Sequence, residues 1–176
     1  KRVVGNARHT FESLGCVVEE AEPDFAGVDE AFPTLRHLSY HSSYAALAKQ
    51  RPDWIKDTIH WEIDEAERQT AADVARASER QDRFYNQVEA FFSRYDYFVL
   101  PVTQVEPFDV TIKYPTEVAG VAMPTYIDWM RSCWYVTFMA TPAISVPAGF
   151  TSGGRPVGLQ IVGRHRDDWS VLQLAH

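Results

Sequence analysis

Residues 142–163 read PAISVPAGFTSGGRPVGLQIVG, and this decisive stretch carries the clearest structural signals of the sequence. Residues 143–146 lie between two prolines, which lack an N–H donor and therefore suit strand ends better than ladder interiors. The glycine-rich run at 149–154 predicts a turn, and residues 157–162 predict a second strand that a glycine ends. Three glycines permit positive φ or a close backbone approach: Gly149, Gly153 and Gly158. The stretch therefore predicts two strands joined by a turn.

Upstream, a long helix leads into another buried strand. Thr70 with Asp73 forms a capping pattern, and apolar residues then recur at a spacing of three to four, so the helix is predicted to run to about residue 94. Residues 97–100 are continuously apolar, as in a buried strand, and Pro101 ends the run. Residues 101–124 contain four prolines and little periodicity, which predicts a long surface loop.

The remaining segments complete an alternation of helices and strands. Helices are predicted over residues 3–14, 29–49 and 125–139, with Pro33 beginning or kinking the second of them. Gly15 ends the first helix and a short strand is predicted at 16–18, a succession typical of α/β proteins. A last helix begins at Asp167-Asp168 and carries no stop signal. With no Met at position 1 either, we expect a segment of a longer polypeptide.

Composition excludes several function classes. The chain has 176 residues, of which 45% are hydrophobic and 13% aromatic, enough to bury a core. Its net charge of −7 argues against a nucleic-acid binder, and it has no apolar run near the roughly 18 residues of a membrane span. Cys16 and Cys133 are too few for a disulfide scaffold and lack metal-site spacing, which fits a reducing cytoplasmic location.

Several of these segments together resemble the amidase signature family. The proline-bracketed strand and the PVGLQIVG strand at 156–163 are its hallmark, and FFSRYDYFVLP at 91–101 resembles its strand entry. Residues 61–77 and the helix–glycine–strand unit at 14–19 are also similar, so the resemblance covers essentially the whole chain. It implies part of an α/β/α sandwich around a mixed sheet, with residues 1–176 forming the C-terminal portion of a single domain without an internal boundary.

The resemblance also implies a reaction and a missing part. Members of the family hydrolyse carboxylic amides through an acyl-serine intermediate, using a Ser-Ser-Lys triad in a Gly/Ser-rich segment of their first half. No stretch here matches that segment, so the chain alone is expected to be inactive and to supply sheet core and pocket wall. The implied partners are the missing N-terminal half, a small-molecule amide and, for the dimer surface, a second copy. No metal or organic cofactor is implied. The alternative is a non-catalytic amidase-like binding or scaffold module.

Two sets of residues have the residue types of a reactive site. Ser42-Ser43 with Lys49 has the residue types of the triad but no flanking glycine, so we interpret the serines as helix hydroxyls bonded to the preceding turn. His37 and His41 share a helix face at the spacing of metal-binding histidines, but no third ligand follows at motif spacing. Both sets are therefore interpreted as structural.

The aromatic stretch before the proline-bracketed strand holds the pocket candidates. Five residues are suited to line a substrate pocket: Tyr126, Trp129, Arg131, Trp134 and Thr137. An arginine is suited to bind a carboxylate and a tryptophan to wall an aromatic slot, but the same aromatics would serve equally to cover the sheet. Relatives have Asn and Gly where this chain has Thr137 and Ala140, so substrate details do not carry over.

Overall fold

The computed structural model describes residues 2–176, with side chains from Val3 onward. Helices hold 52% of the residues and strands 13%, which confirms the α/β class. The elements are, in chain order, α1 (Arg2–Ser13), α2 (Val28–Gln50), a 3₁₀ turn (Pro52–Trp54), α3 (Asp57–Arg68), α4 (Ala71–Phe92), β1 (Phe98–Pro101), β2 (Glu117–Val118), β3 (Val121–Ala122), a second 3₁₀ turn (Asp128–Met130), α5 (Arg131–Met139), β4 (Ala143–Phe150), β5 (Pro156–Val162) and α6 (Asp168–Ala175). None of the helices within residues 2–176 is long and apolar enough to cross a membrane.

The decisive stretch forms two strands, but the first is longer than predicted: β4 continues through Pro147 to Phe150, so this proline lies inside the strand and not at its end. β4 and β5 pair antiparallel, and the backbone N–H of Thr151 donates to the carbonyl of Arg155 at 2.8 Å to close the turn between them. A bulge interrupts β4 between Pro147 and Gly149, and Gly149 has a φ of 119° that other residues rarely adopt. β5 is the central strand because β1 pairs antiparallel with its other edge.

This sheet is the centre of one compact unit, made of residues 2–23 and 87–176. α1 and α6 pack on β4 and β5, and Leu159, Ile161 and Val162 of β5 are almost fully buried. Gly163, directly after β5, allows α6 to approach closely, since a Cβ there would lie 2.3 Å from Cγ2 of Val171. The core therefore lies against the strand whose sequence is the family hallmark.

The first helix ends as predicted, but the strand after it does not form. Gly15 has a φ of 89°, its N–H donates to Glu12, and the N–H of Cys16 donates to Phe11, which is a Schellman cap. The strand predicted at 16–18 is wrong, because no described strand pairs with this segment. The guanidinium of Arg8 donates to the Val18 carbonyl instead, at 2.8 Å.

The second compact unit comprises residues 24–86. α2 and α3 pack together, and α2 begins five residues before Pro33, which therefore does not start it. The predicted cap of α4 is confirmed: the N–H of Thr70 donates to Asp73 at 2.8 Å, and the N–H of Asp73 donates to the Thr70 hydroxyl at 3.2 Å. Phe25 packs on Phe84 with ring centroids 5.6 Å apart.

Two other predictions need refinement. The loop after β1 is irregular as expected up to residue 116, but residues 117–122 form the β2–β3 hairpin. The helix predicted over residues 125–139 is shorter, because α5 begins at Arg131 after a 3₁₀ turn. This turn determines which of the aromatic candidates are buried.

Candidate active-site cleft

A cleft of 1480 Å³ opens beside the end of β1, within the unit that contains the sheet. Its walls come from the loop at 101–108, the β2–β3 hairpin, the start of α5, and the strands β4 and β5. The lining is mainly apolar and includes Val102, Phe108 and Met123. Such a concave apolar surface with a few polar groups is the usual form of a small-molecule site.

The structure places two of the five sequence candidates on the cleft. Trp129 and Arg131 line it, from the second 3₁₀ turn and the first residue of α5. The Trp129 ring meets the Phe108 ring edge-to-face, with centroids 5.3 Å apart. The indole nitrogen of Trp129 is buried and has no acceptor among the described residues.

The other three candidates do not line the cleft. Trp134 is buried, with 6% of its surface exposed, and its indole N–H donates to the Ile127 carbonyl at 3.0 Å. Thr137 is exposed, and its hydroxyl donates to the Cys133 carbonyl one turn earlier. Tyr126 is half-buried outside the lining. Trp134 thus packs in the core, which is the alternative that the sequence left open.

A hydrogen-bonded layer behind the wall fixes the end of β1 against α5. The Ser132 hydroxyl and the Cys133 thiol both donate to the Val102 carbonyl, each at 3.0 Å. The side-chain amide of Gln160 donates to the carbonyls of Pro101 at 3.4 Å and Ser132 at 3.3 Å. These contacts hold the cleft wall in place. The sequence signal that could have indicated them is Gln160, a lone glutamine in an apolar strand.

The thiol in this layer is not set up as a nucleophile. Burial raises the pKa of Cys133 and outweighs the hydrogen bond with Ser132, which lowers it. A thiol with a raised pKa holds its proton at neutral pH, and only the thiolate attacks a carbonyl carbon. Among the residues that the structure describes, no lysine lines the cleft.

The two sets of residues that have the types of a reactive site, one of serines and one of histidines, lie in the other unit and have local partners. The Ser42 hydroxyl donates to the Leu38 carbonyl at 2.9 Å, as expected of a helix hydroxyl. His37 contacts Glu62 at 2.6 Å, whereas His41 lies 3.7 Å from Glu67, so the two imidazoles face different carboxylates on α3. No cluster of three potential metal ligands occurs within residues 2–176.

Comparisons with known proteins agree with this architecture. The Amidase family profile matches residues 2–172. An acylamidase of Rhodococcus erythropolis is 34% identical over 177 residues, covering 97% of this chain and 36% of the relative. A glutamyl-tRNA(Gln) amidotransferase subunit of Bacillus mycoides is 34% identical over 91 residues, which is 52% of this chain and 18% of that protein. The chain thus spans about a third of the length of the first of these relatives.

Solved structures show the same fold. A bacterial aryl acylamidase of the amidase signature family superimposes with a TM-score of 0.83 at 21% identity, over 97% of this chain and 38% of that one. A 6-aminohexanoate cyclic dimer hydrolase gives a TM-score of 0.81 at 20% identity, over 99% and 39%. Because the family profile matches almost every residue and these folds superimpose, the chain belongs to the amidase signature family.

Proposed function

We propose that this chain is the C-terminal portion of an amide hydrolase, supplying sheet core and one wall of the substrate pocket. The cleft beside β1 carries the proposal, because it gathers apolar and polar groups at one concave site. Its volume exceeds the roughly 300–1000 Å³ of a typical ligand pocket. The excess supports a further segment of the protein closing the open side. The continuous match over residues 2–172 supports a single domain that contains both compact units.

The chemistry requires groups that the described residues do not bring together on the cleft. Hydrolysis through an acyl-serine needs a serine activated by a base and donors for the oxyanion. Three serines line the cleft, Ser132, Ser145 and Ser152, and the described lining offers no lysine as a base for any of them. The Ser132 hydroxyl moreover donates a hydrogen bond to the Val102 carbonyl. We therefore assign the Ser-Ser-Lys triad to the portion of the relatives that this chain does not cover, and a wall role to Trp129 and Arg131.

The test compares the full-length protein with the 176-residue chain. Release of aniline from acetanilide should occur with the full-length protein and not with the chain alone. A full-length variant with the nucleophilic serine changed to alanine is the control and should be inactive. Hydrolysis by the chain alone would refute the division of roles. A full-length protein that binds acetanilide without hydrolysing it would favour the non-catalytic module.

The proposal also concerns the state of the isolated chain. β4 has a partner on one edge only within the described residues, and Phe150 at its end is 68% exposed. Unpaired strand edges and exposed apolar side chains promote association. The isolated chain should therefore self-associate in sedimentation velocity, whereas the full-length protein should form a defined monomer or homodimer. We place the protein in the cytoplasm, supported by the two free thiols Cys16 and Cys133.

A further inference from the structure

The indole N–H of Trp129 is a buried donor without an acceptor among residues 2–176. Buried N–H groups are almost always paired, and an unpaired one calls for an explanation. Trp134, five positions later, shows the usual arrangement, since its indole donates to the Ile127 carbonyl. The two tryptophans therefore differ in hydrogen bonding, although they lie in the same aromatic stretch.

The position of Trp129 connects this donor with the cleft. Trp129 and Phe108 both line the cleft and meet edge-to-face. Phe108 belongs to the irregular segment at 103–116, in which few backbone groups are hydrogen-bonded. Segments with so few backbone hydrogen bonds open at low cost. Phe108 is thus the neighbouring side chain best placed to move aside when a ligand enters the cleft and reaches the Trp129 indole.

We propose that Trp129 determines specificity by donating its indole N–H to an acceptor on the substrate, once Phe108 yields. This inference rests on the proposed amide hydrolase function. The apolar and aromatic lining selects a ring, and an indole can donate but not accept. Because we assign the donors for the amide carbonyl to the portion that carries the triad, the acceptor for Trp129 is a group on the ring, such as a second carbonyl oxygen. The substrate class is accordingly an amide attached to an aromatic ring that bears a hydrogen-bond acceptor.

The kinetic test uses the full-length protein and two matched substrates, 4-acetylacetanilide and 4-ethylacetanilide. They are similar in size, but only the first carries an acceptor on the ring. The kcat/KM for 4-acetylacetanilide divided by the kcat/KM for 4-ethylacetanilide should be about 3- to 10-fold lower in W129F than in the wild type, which is the effect of one hydrogen bond. Comparing ratios cancels the different reactivity of the two anilines. The control W169F, which removes a 70% exposed indole on α6, should leave the ratio unchanged.

A second measurement does not depend on turnover. In the protein labelled with ¹⁵N-indole tryptophan, the Trp129 resonance is assigned from its loss in W129F. If that variant does not fold, it is assigned by elimination from the other four tryptophans. Addition of 4-acetylacetanilide should move this indole proton downfield, and 4-ethylacetanilide should not.

The outcomes separate this inference from the proposed function. Hydrolysis of both substrates with an unchanged ratio in W129F and an unmoved resonance overturns the role of Trp129 and leaves the hydrolase standing. If neither substrate is hydrolysed, the proposed function fails. The resonance then decides alone, and a Trp129 proton that does not respond to 4-acetylacetanilide overturns the inference.

Discussion

Replacing Glu62 by glutamine should destabilise the protein more than any other single carboxylate-to-amide change on α3. The Glu62 side chain is fully buried and accepts hydrogen bonds from Arg36 Nε at 2.7 Å and from His37 Nδ1 at 2.6 Å. Both donors lie on α2, so this carboxylate joins the two helices. Glutamine keeps the shape but removes the charge and turns an NH₂ toward one of the donors.

The expected cost follows from this geometry. Breaking a buried ion pair by removing one partner typically costs about 3–5 kcal/mol, since the other charge is left uncompensated. The Arg36 side chain retains 19% of its exposure and so some contact with water, which favours the lower end, about 3 kcal/mol. For a chain of this size about 1 kcal/mol shifts Tm by about 2–4 °C, so Tm should fall by about 6–12 °C.

The assay is urea denaturation followed by tryptophan fluorescence, with Trp61 as a local reporter because its ring meets His37 edge-on at 5.1 Å. Glu67→Gln is a matched control on the same helix. Glu67 also faces an α2 histidine, but its side chain is 64% exposed and 3.7 Å from His41, so its loss should change stability by less than about 0.5 kcal/mol. Equal effects of the two substitutions would mean that burial of the Glu62 carboxylate does not determine the cost.

Acid should abolish the same stabilisation. Burial alone raises the pKa of Glu62, but the hydrogen bonds from His37 and Arg36 and the Arg36 charge outweigh it and hold this pKa below its ordinary value. A carboxyl whose pKa is lower in the folded state stabilises the fold above its unfolded pKa of about 4.3, and this contribution disappears as the pH falls through the folded value. Denaturation curves from pH 7 to pH 3 should therefore show the wild type converging on Glu62→Gln below about pH 4.3, and a constant difference would contradict the assignment.

Three further substitutions test the fold around the cleft by thermal melts. Ala140→Gly should stabilise by about 1 kcal/mol, because Ala140 ends α5 in the left-handed region with φ 54°, and an unchanged Tm would argue against that strain. Gly163→Ala should cost about 1–3 kcal/mol through the clash with Val171, whereas Gly153→Ala, with no atom nearer than 3.8 Å, should be neutral; equal costs would be inconsistent with the packing after β5. Gln160→Leu should cost about 1–2 kcal/mol by removing the side-chain donor to the Pro101 and Ser132 carbonyls, and a neutral result would mean that these bonds do not hold the wall.

Local patterns predicted the elements whose signals are local. The cap of α4 and the glycine that ends α1 follow from residues within one turn, and the structure confirms both. The presence of two strands in the decisive stretch also follows from prolines and glycines at fixed positions, whereas the bulge that carries β4 past Pro147 to Phe150 was not predicted. The strand predicted at 16–18 does not form, because strand formation is not decided by local residues alone. Pairing needs a distant partner, and Val17, 91% exposed, has none among the described strands.

Some of the pocket candidates line the cleft and others do not, and no local sequence pattern predicts which. A 3₁₀ turn at 128–130 brings the Ile127 carbonyl to the indole of Trp134, which satisfies that donor and allows the ring to enter the core. Trp129 lies within the turn itself and finds no such carbonyl, so its ring stays on the cleft beside Phe108. By composition the two tryptophans are equivalent. One backbone oxygen satisfies the Trp134 indole, whereas the Trp129 indole has no acceptor among the described residues. We therefore expect changes at Trp134 to act on stability and, under the proposed role of Trp129, changes there to act on specificity.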